Sequence, residues 1–402
     1  MLKSIIIKDF FSFKGECRID LNPGINLLLG INGSGKTSFI NALRLLYEGV
    51  CGTGFESLFQ LEWGGFHEVV NANGTDVPKE IALTYIFDHK KLKELVDRSP
   101  FKDDVHYSII IKPMGEHSYT LEERLFAPNR KKDNEPFVFL DFKNEMGTLS
   151  VYHREGIRTE RFAGDTSAQE LILRQISDPR RFLPSHTIKT AISQMALFET
   201  FDTRQDSAIR KPSKSSSELK LISGGENIVS VLNNLSVQDI MTYETIEEKL
   251  KTVNGGFTKF YFQSFGSRLY MSLGEKNMRH TIGIRFISDG TLRYVLMETV
   301  LLNRHTGSLI GLDEPEGRLH PDMIHSIAGM MKESAKKAQL IIATHSPLLL
   351  NDFVLEDIHV FEKNGDNSTI VKHYKTSDFE DYGDDVVPGQ LWLDGEIGGK
   401  RW

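Results

Sequence analysis

Cysteine is nearly missing from this 402-residue sequence: Cys17 and Cys51 are the only two, and they do not form a C-x-x-C pair. That excludes a zinc hook and gives no support for a disulfide framework. Long apolar runs are missing as well. None approaches the ~18–20 residues of a membrane span, and Met1-Leu2-Lys3-Ser4 has no signal-peptide layout, so a cytoplasmic chain with no membrane partner is expected. Nor is there an excess of positive charge. With 48 Lys and Arg against 55 Asp and Glu, the formal net charge is −7, so nucleic acid is a partner only through a local patch. Arg124, Arg130, Lys131 and Lys132 form one loose basic cluster, and Arg174, Arg180 and Arg181 another. Such clusters are ordinarily solvated faces. No segment sustains a heptad, so no long coiled coil is expected, and there is no internal repeat.

What is there begins at residue 30. Gly30-Ile31-Asn32-Gly33-Ser34-Gly35-Lys36-Thr37 is a full match to the phosphate-loop pattern G-x-x-x-x-G-K-[ST]. The glycines Gly30, Gly33 and Gly35 let backbone N–H groups of the Asn32–Ser38 stretch turn onto phosphate oxygens. Lys36 reaches the β- and γ-phosphates, and Thr37 can place its hydroxyl on Mg²⁺. The flanks agree, because an apolar strand, Ile25 to Leu29, precedes the loop and a helical pattern from Ser38 to Leu46 follows it. A strand feeding a glycine loop and then a helix N-terminus is an anion site. ATP with Mg²⁺ is the expected occupant.

Further along, strand-like alternation recurs at 4–10, 17–21, 81–87, 106–112, 137–140 and 148–152. Residues 1–165 therefore read as an N-terminal half with the loop and an antiparallel β lobe. Residues 166–280 read as an inserted helical and mixed lobe with a polar, mobile loop near 203–218. From 281 to 375 the pattern is α/β, and 376–402 is an acidic, then tryptophan-containing tail. The acidic residues Asp378, Glu380, Asp381, Asp384 and Asp385 read as solvated.

Ser308 to Glu314 is an apolar strand ending in two carboxylates. At that place in a phosphate-loop ATPase, Asp313 holds Mg²⁺ and Glu314 orients and deprotonates the attacking water. Leu340 to His345 is a second such strand, 31 residues further on from Glu314 to His345, and its terminal histidine is placed to contact the γ-phosphate. Two segments compete for the serine signature of ABC ATPases, Ser223-Gly224-Gly225-Glu226 and Ser288-Asp289-Gly290-Thr291. The signature must open the helix that runs into the Asp-Glu strand. Ser288 precedes Asp313 by 25 residues and Ser223 by 90, which selects Ser288 and leaves 223–226 as a helix-capping turn.

With Asp9-Phe10-Phe11-Ser12-Phe13, the phosphate loop, Ser288 to Leu292, Asp313-Glu314-Pro315-Glu316 and Ala343 to Pro347, the chain resembles the RecF/SMC-like branch of ABC ATPases. The resemblance is to its compact bacterial members, among them the ATPase subunits of anti-phage defence systems and the ATPase part of overcoming-lysogenization-defect proteins. It implies an α/β ABC-type head in which two chains sandwich two ATPs. The loop of one chain would face Ser288 and Gly290 of the other, giving an ATP-dependent dimer or higher oligomer. A family coupling glutamine is expected at Gln175, with Gln60 or neither as alternatives. Relatives of the overcoming-lysogenization-defect type carry a nuclease domain after the switch histidine, for which the 57 residues following His345 leave no room. The expectation is a slow, regulated ATPase that switches a separately encoded effector, a nuclease, in anti-phage defence. A RecF-like DNA-repair ATPase is the alternative, and a transporter's nucleotide-binding subunit is a more distant one. In the tail, Trp392 and Trp402 either fold back on the chain's own core or dock on a partner.

Overall fold

The computed structural model describes residues 1–73, 77–96, 99–116, 118–128, 135–143, 146–153, 156–162, 166–382 and 387–399. Arg130, Lys131, Lys132, Asp384, Asp385 and Trp402 lie outside them. Strands β1 Leu2–Lys8, β2 Glu16–Asp20 and β3 Ile25–Leu29 open the chain, and the helix Lys36–Val50 follows. Next come β4 Ile81–Phe87, β5 Val105–Met114, β6 Ser118–Ala127, β7 Phe137–Lys143, β8 Met146–His153 and β9 Gly156–Phe162. After the helix Leu183–Ser193 stand β10 Met195–Phe198 and β11 Ser213–Lys214, then the helices Ile228–Gln238 and Ile240–Val253. They are followed by β12 Phe257–Phe265, β13 Arg268–Glu275 and β14 Ile282–Gly283. The final stretch alternates: helix Asp289–Leu302, β15 Leu309–Asp313, helix Pro321–Ser334, β16 Gln339–Thr344, β17 Ile358–Lys363, β18 Thr369–His373 and helix Pro388–Asp394. The longest helix described has 15 residues, so no long coiled coil is present among the described residues. Among the described residues no helix is long and apolar enough to cross a membrane.

The chain divides into two compact units, Met1–Pro23 with Gly30–Met195 and Val360–Lys372, and Gly24–Leu29 with Ala196–His359 and His373–Trp402. These units do not follow the segments read from the sequence. The lobe expected at 166–280 is divided at Met195, and it holds β10 to β13 beside its helices. The reason is that a strand belongs with the strands it hydrogen-bonds, whatever their distance in sequence. Thus β3 pairs in parallel with β16, more than 300 residues away, from Leu340 opposite Ile25 to Thr344 opposite Leu29.

The first unit is built on an antiparallel sheet in the order β2-β1-β4-β5-β6-β7-β8-β9. Period-2 alternation makes it: Val105, Tyr107, Ile109 and Ile111 of β5 are all fully buried, with half-exposed residues between them. Strand β6 escapes a sequence reading because Glu123 interrupts its apolar row. Tyr119, Leu121, Glu123, Leu125 and Ala127 all face inward.

In the second unit β10, β15, β16 and β3 lie side by side. Strand β15 pairs in parallel with β16, and β16 with β3. Strands β3 and β16 are buried along their whole length, as parallel strands covered on both faces must be. Parallel register brings the C-terminal ends of β15, β16 and β3 to one edge. Asp313 is the last residue of β15 at that edge, and His345 directly follows β16. A smaller sheet, β11-β13-β12 with β14 on β13, completes the unit.

Candidate nucleotide site

The residues singled out from the sequence fall on both units, and each group has its own internal geometry. In the first unit the loop from Gly30 turns into the helix Lys36–Val50 without a side-chain cap on its N-terminal N–H groups. Gly33 has φ +78° and Gly35 φ +111°, conformations that favour glycine. Space also demands glycine: a Cβ on Gly30 would lie 2.6 Å from the Phe361 carbonyl oxygen, and one on Gly35 would lie 2.2 Å from Thr369 Oγ1. Lys36 is 7% exposed. Its ammonium folds back over the loop, donating to the carbonyl oxygens of Gly30 at 2.6 Å and Ile31 at 3.1 Å. Ser34 Oγ is buried without a hydrogen-bond partner. Asn32, Gly33 and Thr37 are exposed on the loop's outer side.

A hydroxyl relay supports the loop from beneath. Ser38 Oγ lies 2.9 Å from Ser12 Oγ, which lies 2.7 Å from Thr369 Oγ1. Thr369 donates to the Ser34 carbonyl at 2.8 Å, and its own N–H donates to the Ser12 carbonyl. Ser12 belongs to the Asp9–Phe13 motif noticed in the sequence. Thr369 was missed, because nothing in its local sequence says that β18 delivers it to the loop.

In the second unit, Asp313 ends β15 and Glu314 follows with φ +47°, a left-handed conformation costing a non-glycine residue about 1 kcal/mol. The Glu314 N–H donates to the Ala343 carbonyl at 2.9 Å, which fixes the carboxylate beside the tip of β16. There His345 Nδ1 lies 3.1 Å from Glu314 Oε1, the two side chains being 53% and 41% exposed. Thr344 sets the histidine's turn: its hydroxyl donates to Glu316 Oε1 at 2.5 Å and accepts from the Ser346 N–H at 3.1 Å. Burial pushes the Glu316 carboxyl above the usual carboxylate range. Thr200, just past β10, donates to the Asp313 carbonyl at 3.5 Å, another neighbour the sequence did not reveal.

The helix Asp289–Leu302 begins as expected at Ser288, whose hydroxyl caps it by accepting from the Thr291 N–H at 3.2 Å. Ser288 is exposed, and a Cβ on Gly290 would meet only the Arg318 carbonyl oxygen at 3.5 Å. The rival at 223–226 is a turn closed by the Gly225 N–H on the Ile222 carbonyl, just before the helix Ile228–Gln238. Gln175 is engaged locally: its amide accepts from the Ser167 N–H and donates to the Ser167 and Glu170 carbonyls. Trp392 is 6% exposed, packed within its own unit, where Gly389 donates to Asn351 Oδ1 at 2.9 Å.

These groups suit a magnesium nucleotide. An uncapped helix N-terminus, an ammonium that spends its protons on loop carbonyls and an unpartnered buried hydroxyl are donors matched to phosphate oxygens. A strand-end Asp-Glu pair is matched to a hard cation and a water.

The family described as "AAA domain, putative AbiEii toxin, Type IV TA system" matches residues 25–351. Curated relatives match over short stretches. The structural maintenance of chromosomes protein 3 homolog of Plasmodium falciparum is 40% identical over 50 residues, 12% of this chain and 4% of that protein. The DNA replication and repair protein RecF of Vibrio campbellii is 50% identical over 48 residues, 12% of this chain and 13% of that protein. Among solved structures, the SmcHead bound to the C-winged helix domain of ScpA aligns with a TM-score of 0.58 and 13% identity, over 94% of this chain and 98% of that one. The Smc head domain with an extended coiled coil bound to the C-terminal domain of ScpA, from Pyrococcus furiosus, aligns with a TM-score of 0.56 and 12% identity, over 95% and 98%. At such identities the structural likeness speaks for the fold. The chain belongs to the AbiEii-type AAA family, and with it to the RecF/SMC-like class of ABC ATPases.

Proposed function

We propose that this protein is an ATP-hydrolysing switch whose two states are an ATP-bound assembly of its own copies and a released form. The observation that carries the reading is the pairing of Glu314 with His345 at the ends of the neighbouring parallel strands β15 and β16. Lys36, Ser34 and the N–H groups of residues 32–38 bind the triphosphate. Thr37 and Asp313 would hold Mg²⁺, whose positive charge would offset that of the β- and γ-phosphate oxygens. Glu314 accepts a proton from the attacking water, and His345, held against that carboxylate, hydrogen-bonds the γ-phosphate. Ser288 and Gly290 of a second copy present hydroxyl and N–H donors to the same phosphate, so turnover depends on association.

We further place the protein in anti-phage defence, controlling a separately encoded effector, a nuclease. The family description, a putative toxin of a toxin–antitoxin pair, supports a two-component setting. A RecF-like role on DNA is the second reading, favoured by the short RecF match. The test is a pull-down with Glu314→Gln and ATP, together with nuclease assays of the purified chain. Capture of one neighbouring gene product supports the switch reading. Full metal-dependent cleavage of DNA by the chain alone would refute an effector in trans, and salt-sensitive, ATP-dependent duplex binding would favour the RecF-like role.

A further inference from the structure

The stretch 203–218 reads as a polar loop, yet it contributes one of the deepest cations of the second unit. The Arg210 side chain is 2% exposed. Its Nε donates to the Thr203 carbonyl at 2.8 Å. Its Nη1 faces three carbonyls of the segment leading to the signature, those of Ile284 at 3.0 Å, Arg285 at 3.2 Å and Ile287 at 2.7 Å. Its Nη2 donates to Asp289 Oδ1 at 2.5 Å. One planar guanidinium thus holds the backbone on the N-terminal side of Ser288 and the carboxylate immediately after it. A lysine has no such fork. Burying this charge is tolerable because its donors converge on oxygen.

Asp289 explains why a cation is needed there. It is the first residue of the helix, where its carboxylate favours the helix dipole but opposes any second anion approaching the same N-terminus. Arg210 on one side and Arg318, whose Nη1 lies 3.9 Å from Asp289 Oδ2, on the other offset that charge.

We propose that Arg210 is a positioning residue for the signature: it sets the path of residues 284–289 and cancels the charge of Asp289, so that a Ser-Asp-Gly helix start can receive a triphosphate. This rests on the reading of Ser288 as the residue that meets the nucleotide of a second copy.

The test uses full-length Arg210→Gln, Arg210→Lys, Asp289→Asn and the Arg210→Gln/Asp289→Asn double variant. Each is also made in the Glu314→Gln background for ATP-dependent association. Equilibrium binding of a fluorescent ATP analogue, kcat and light scattering are the readouts, with thermal unfolding as the control for folding. Arg210→Gln should lower turnover and association about tenfold or more while ATP affinity changes less than about threefold. Asp289→Asn should restore at least about threefold of the association lost, a rescue that lost packing alone would not give. Arg210→Lys, which keeps the charge without the fork, should fall between wild type and Arg210→Gln. Where Arg210→Gln does not fold, Asp289→Asn combined with Arg210→Lys carries the same comparison. Unchanged turnover in Arg210→Gln, or no rescue by Asp289→Asn, overturns the proposal. If Ser288→Ala leaves association intact, the underlying reading of the signature is what fails.

Discussion

Single side chains in this protein are placed by backbone conformations they would not choose for themselves. Glu314 accepts a left-handed φ of +47° so that its carboxylate meets His345, and Gly35 takes +111° so that the loop can turn into its helix. Replacing Lys36 by Ala should abolish ATP binding, measured by fluorescence or calorimetry. Glu314→Gln should keep binding and slow hydrolysis about 100-fold or more. Gly35→Ala combines a forbidden φ with a Cβ 2.2 Å from Thr369 Oγ1. It should cost about 2–3 kcal/mol of stability by urea unfolding, or fold with the loop displaced and ATP binding lost. The type of each of these residues was legible in the sequence, because the phosphate-loop pattern and an apolar strand ending in Asp-Glu are local patterns. Thr369, Thr200 and Arg210 were not, since each works through a contact made far from its own sequence neighbours.

At the scale of elements, the strand that resisted a sequence reading carries a titration. Glu123 of β6 is fully buried, accepting from the Tyr107 hydroxyl at 2.6 Å and from the N–H groups of Ile172 and Leu173. Burial raises its pKa from 4.5 to about 7 against the pull of those donors. Between these values the folded protein keeps a proton that the unfolded chain has released, so this contribution to stability is full at low pH and is lost as pH rises through the window. The loss amounts to about 3 kcal/mol. Urea midpoints of wild type should therefore fall between about pH 5 and pH 7.5, and Glu123→Gln should lack this part of the slope. An equal slope in the variant would assign the effect elsewhere. Helices were read better than the short strands. Ser288 and the run Leu292 to Leu301 give one continuous cap and apolar pattern, whereas β9 mixes charge into both alternations.

For the whole molecule, the proposed mechanism predicts mass as well as rate. Glu314→Gln with ATP should elute as a dimer or larger by light scattering and return to the smaller species with ADP, and Ser288→Arg should prevent the shift. A mass independent of nucleotide would count against the sandwich. The sequence by itself determined the family, because phosphate-loop patterns and apolar strands ending in Asp-Glu are local and consist of adjacent residues. The tertiary structure alone decided which strands stand together and which distant side chains serve the motifs. Strand β3 joins β16 rather than its own neighbours β1 and β2, and Arg210, 78 residues upstream of Ser288, donates to the Ile287 carbonyl. Parallel pairing and buried hydrogen bonds act across space, and no window of the sequence records which distant segment will supply the partner.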